Sequence, residues 1–101
     1  MNNFKIYEDK ELKIPVGEEL NLGKLKAGTK KKYKFYIYNG SVNPFEELSF
    51  SVENKEVKIV EAPDELQEKS NAEIILEWSP SVDVRQGLKT RLKIEGYEVL
   101  S

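Results

Sequence analysis

Across residues 22–44 the chain passes through a turn, a long strand and a loop in quick succession. Ala27-Gly28-Thr29 is a turn signal, because Gly accepts backbone angles that other residues resist. From Lys30 to Asn39 the side chains then alternate in character. Tyr33, Phe35 and Ile37 share one face, and Lys32, Lys34, Tyr36 and Tyr38 share the other. A two-residue period puts successive side chains on opposite faces of a strand. A strand with one apolar face must cover that face with a second layer. This restricts the chain to a sandwich or barrel of antiparallel strands.

The same period recurs along the sequence. Leu48, Phe50 and Val52 alternate with Glu47, Ser49 and Ser51. Ala72, Ile74, Leu76 and Trp78 alternate with Glu73, Ile75 and Glu77. Leu88, Thr90, Leu92 and Ile94 alternate with Lys89, Arg91 and Lys93. Shorter runs lie at residues 4–7, 12–16, 20–25 and 57–60, and Pro15 marks an edge position, since Pro cannot donate to a central ladder. Residues 39–44, 62–71 and 79–87 read as connections, the last with one helical turn near residues 83–86. Gly96 reads as a break in the last strand. No segment sustains a helical period. The expectation is an all-β sandwich of about seven strands, forming one domain over residues 1–101, with Trp78 in its core.

Composition narrows the function more than the fold. Sixteen basic residues face eighteen acidic ones, for a net charge of −2. A nucleic-acid binder normally carries a strong basic surplus on one face, so no nucleic-acid partner is expected. The chain has no Cys and no His, so it lacks disulfides and the usual general base and metal ligands. Met1-Asn2-Asn3-Phe4-Lys5 has no apolar leader pattern. No run approaches the length of a membrane span. A reducing cytosol and no membrane partner are expected. The loop carboxylates Glu46, Glu47, Asp64, Glu65 and Glu68 have no calcium-loop spacing. Ser79 and Ser81 have no base near them in sequence. No catalytic residue, metal or cofactor is expected, and the chain reads as a non-enzyme.

Three stretches carry a family resemblance: Leu22-Gly23-Lys24-Leu25-Lys26-Ala27-Gly28-Thr29, the strand Tyr33-Lys34-Phe35-Tyr36-Ile37-Tyr38-Asn39 with Asn43-Pro44-Phe45 after it, and residues 70–80, ending Leu76-Glu77-Trp78-Ser79-Pro80. Together they resemble the immunoglobulin-like sandwiches of the major sperm protein and abnormal-spindle/hydin type. The likeness spans about two thirds of the chain, and its motifs encode turns and alternation. It implies an immunoglobulin-like sandwich. Similar single modules serve as decoration, neck and fibre domains of tailed bacteriophages. Read as a one-domain chain, the protein is expected to be a stand-alone structural part.

The candidate interface residues follow from exposure. Tyr36 and Tyr38 lie opposite the core residues of their strand. Tyr rings give large contact area at low entropy cost, which suits an interface; the alternative is cross-strand stacking within one sheet face. Phe4, Ile6 and Tyr7 form a second candidate surface, with residues 1–7 expected to be dispensable for folding. Lys30, Lys31, Lys32 and Lys34 form a basic run, which reads as a solvated strand start that discourages edge-to-edge pairing. Two functions are expected from these features. One is a small virion component, such as a capsid decoration or neck protein, that is assembled in the host cytoplasm on a major capsid or other virion protein and sits as one of several copies. The alternative is a cytoplasmic adaptor that binds a protein partner through an edge strand or sheet face.

Overall fold

The computed structural model describes residues 4–17 and 19–100. Among them are eight strands and no helix: β1 (Phe4–Tyr7), β2 (Pro15–Val16), β3 (Glu19–Leu25), β4 (Lys31–Asn39), β5 (Phe45–Val52), β6 (Val57–Glu61), β7 (Asn71–Trp78) and β8 (Val84–Glu98). Every pairing is antiparallel. One sheet has the order β2-β1-β4-β7-β6 and the other β3-β8-β5. The fold is an all-β sandwich, and the alternation in the sequence is its cause: each sheet has one apolar face, and the two faces close on one another.

The core draws on both sheets. Ile6, Phe35, Ile37, Ile74, Leu76 and Trp78 come from the five-stranded sheet. Leu20, Leu22, Leu48, Leu92 and Ile94 come from the three-stranded one, and all join a single cluster. Each large side chain buried in this way stabilises the fold by roughly 1.5–3 kcal/mol. Trp78 is 1% exposed, as its register with Ile74 and Leu76 requires. The Tyr33 hydroxyl donates to the Leu22 carbonyl at 2.7 Å and ties the two sheets together. Desolvation raises the Tyr33 pKa above 10.0.

The structure corrects the strand reading in four places. The expected strand over residues 12–16 shrinks to Pro15–Val16. The Asp9 carboxylate captures the preceding turn, accepting from the Lys13 amide at 2.9 Å and the Ile14 amide at 2.7 Å, with Leu12 at a φ of 60°. β5 starts at Phe45, with a register shift between Glu46 and Ser49 around Glu47, whose φ is 51°. That is the signature of a bulge. Residues 83–86 form no helical turn; Val84 pairs with Leu25 and opens β8. Gly96 does not break β8, which runs 15 residues through it.

β8 sets the shape of the molecule. At about 3.3 Å per residue it spans roughly 50 Å, matching the longest extent of 49 Å. Its first half pairs with β3 and its second half with β5. One end of the sandwich therefore carries the β3–β4 turn and the β7–β8 loop. The other carries the β4–β5 loop, the β6–β7 connection and the end of β8.

Asn39 organises that second end. It is fully buried, and its Nδ2 lies 3.0 Å from the Asn43 carbonyl, 3.2 Å from that of Leu66 and 3.1 Å from that of Gln67. Its Oδ1 accepts from the Ser41 amide at 2.9 Å. One side chain thus satisfies backbone groups of two loops that would otherwise be buried without partners.

Candidate protein interface

Register decides which residues share the solvent face of the five-stranded sheet. Tyr7 lies directly opposite Tyr36 across the β1–β4 pair, and Lys5 opposite Tyr38. On the other side of β4, Glu73 faces Tyr36 and Asn71 faces Tyr38. Directly opposite residues in antiparallel strands put their side chains on the same face. Three tyrosines from two strands therefore occupy one patch, each half-buried. Lys34 borders it and lies 3.7 Å from Glu73. Both partners are well exposed, so the pair contributes little to stability. Ile75, half-buried opposite Lys34, extends the apolar part of this face. It was legible as an apolar residue in the outward register of its strand.

Tyr7, Tyr36 and Tyr38 are brought together on the outside, but Phe4 and Ile6 are not with them. Ile6 is 5% exposed and sits opposite Ile37 in the core. The Phe4 ring packs against Phe45 of the other sheet, with centroids 4.8 Å apart. β1 is bracketed by β2 and β4 in the sheet. Residues 4–7 are thus structural, and removing them would open the core. Residues 1–3 of that expected dispensable segment lie outside the described residues.

The basic run keeps its solvated character. Lys31, Lys32 and Lys34 are exposed, and the Lys31 ammonium stands 5.2 Å from the centre of the Tyr33 ring. Lys31 itself is solvated, so this contact with the half-buried ring contributes only about 0.5–1 kcal/mol. The loop carboxylates are scattered: among the described residues no group of three or more could hold a metal ion. Among the described residues, Asp9 is a carboxylate whose pKa is lowered. Desolvation acts to raise its pKa, but the amide hydrogen bonds from Ile14 and Lys13, with the Lys13 charge, outweigh it and hold the group below 3.8. Its role is to hold the β1–β2 turn.

No protein-family model, curated protein or solved structure matches this chain.

Proposed function

We propose that the protein is a non-enzymatic structural part that docks on a larger protein assembly through the outward face of its five-stranded sheet. The observation that carries this reading is the grouping of Tyr7, Tyr36 and Tyr38 on one solvent face. Aromatic anchors of this kind dominate the energy of protein interfaces, while surrounding charges set orientation. Lys5, Lys34 and Glu73 supply such a rim. The sandwich itself supplies a rigid platform, which favours a positioning role.

The most concrete form of the proposal is a virion component of a tailed bacteriophage, seated on a major capsid or other virion protein and assembled in the host cytoplasm. The resemblance of the turn, strand and Trp motifs to immunoglobulin-like modules supports it. The test is fractionation of large particles from producing cells. The wild-type chain should co-sediment with a particle at fixed stoichiometry, and a variant carrying Tyr36→Ser and Tyr38→Ser should fold and lose occupancy. A variant that keeps full occupancy would remove the tyrosine face from the proposal. Recovery only in the small-protein fraction would remove the assembly role.

A further inference from the structure

The two ends of this elongated molecule carry opposite charge. At one end, Lys24, Lys26, Lys30, Lys31 and Arg85 gather around the β3–β4 turn and the start of β8, all exposed. The turn and the β7–β8 loop are fastened to one another by the Gly28 amide on the Pro80 carbonyl at 3.1 Å and the Ala27 amide on Asp83 at 2.8 Å. Asp83 is thereby engaged with backbone. Among the described residues, none of these five cations lies within ion-pair distance of a carboxylate. At the opposite end, Glu46, Asp64, Glu65, Glu68 and Glu98 are exposed around the β4–β5 loop, the β6–β7 connection and the end of β8, and outnumber Lys69, which caps the Gly40 carbonyl there.

Most exposed large apolar side chains lie at the two ends, Ile14 before β2 and Val60 on β6 being the exceptions among the described residues. Val42, Tyr97, Val99 and Leu100 all lie at the acidic end, and Tyr97 and Leu100 are 69% and 76% exposed. The segment is held in place, since the Val99 amide donates to the Pro44 carbonyl at 2.9 Å and Asn43 Nδ2 donates to Glu98 at 2.9 Å. Val82 stands exposed at the basic end. Beside it is an open groove of about 680 Å³, lined by Leu25, Val84 and Thr29 together with Lys24, Lys26 and Arg85, and by Asp83, whose carboxylate accepts from the Ala27 amide. A basic groove with apolar lining at one end thus matches an acidic, apolar, ordered segment at the other.

We propose that copies of this chain associate end to end, with the Tyr97, Val99 and Leu100 segment of one copy seated in the Lys24, Lys26 and Arg85 groove of the next. The contact joins two different surfaces, so it is heterologous and propagates into a ring or a filament. Charge complementarity sets the direction, because like ends repel. The apolar residues supply the anchor. This contact uses none of Tyr7, Tyr36 and Tyr38, so it stands or falls separately from docking through the tyrosine face.

Sedimentation velocity over a range of protein concentration tests it. At low ionic strength the wild-type mass should rise progressively with concentration. At about 1 M salt, where the screening length is about 3 Å, it should return toward the monomer. Two charge-reversed variants sharpen the test, and circular dichroism checks that each folds. One carries Lys24→Glu, Lys26→Glu and Arg85→Glu; the other carries Glu46→Lys, Glu65→Lys and Glu68→Lys. Each alone should be monomeric, and their equimolar mixture should associate again, because each then offers the other complementary ends. A wild-type chain that stays monomeric at every concentration overturns the proposal and leaves the groove to an acidic segment of another protein. A species that stops at a dimer, or variants that associate as wild type does, overturns the end-to-end geometry.

Discussion

The Cδ2 methyl of Leu48 lies where a side chain on Gly96 would begin: a β-carbon there would stand 2.6 Å from it and 3.2 Å from the Glu46 carbonyl. β5 is bulged at this point, and Leu48 is folded back over the β8 backbone. The glycine is needed for space, not for an unusual φ. Replacing it with Ala asks Leu48 to rotate away. Gly96→Val adds two methyls to the same crowded point, where the β-carbon already presses on the Glu46 carbonyl, and should cost about 1–3 kcal/mol, the usual range for overpacking. Urea unfolding will measure this, and a Val variant as stable as wild type would show that Leu48 has room to move.

Trp78 offers a test of how the core is filled. Its ring is buried, and its Nε1 has no hydrogen-bond partner among the described residues. Trp78→Ala should cost about 3–5 kcal/mol, as expected for a large ring removed from a packed core. Trp78→Phe should cost clearly less, because it keeps most of the apolar ring and gives up no hydrogen bond. Native fluorescence should be blue-shifted and should move to the solvated limit on unfolding. Emission at that limit in the native protein would contradict the burial.

Asn39 should be intolerant of change. Asn39→Ala removes the donor shared by Asn43, Leu66 and Gln67 and the acceptor of the Ser41 amide. Leaving such groups buried and unpaired should cost about 3 kcal/mol. Asn39→Asp should be worse near neutral pH, since it directs a carboxylate at three carbonyl oxygens. Burial and that repulsion raise the new group's pKa, so the variant should regain stability as pH falls. Thermal melts of both variants at pH 4 and pH 7 test the ordering (about 4 being the ordinary aspartate value). A carboxylate variant that is equally stable at both would count against the geometry.

Asp9 gives a pH dependence of known sign. Its folded pKa is held below 3.8. The stabilisation it provides is therefore present above 3.8 and is lost as pH falls through the folded value. Asp9→Asn should flatten this part of the acid-unfolding profile and loosen the turn before β2. Hydrogen exchange at the Lys13 and Ile14 amides is the local readout; unchanged protection there in the variant would contradict the turn-holding role.

The sequence by itself determined the sandwich, and with it most of the core. A two-residue period fixes which side of a strand each residue faces, so Phe35, Ile37, Ile74, Leu76, Trp78, Leu92 and Ile94 were legible as inward residues. The outward placement of Tyr36 and Tyr38 follows from the same local rule. What local periodicity cannot supply is the neighbour across the ladder, because pairing is set by register between strands far apart in sequence. That is why Tyr7 opposite Tyr36 and Ile6 opposite Ile37 emerge only from tertiary structure. It is also why residues 4–7 belong to the core sheet. The same holds for the carboxylate of Asp9, which delays the start of β2 to Pro15 through bonds made in the folded turn. It holds for the opposite charges at the two ends, since a chain with a net charge of −2 shows its polarity only after folding sorts residues into ends.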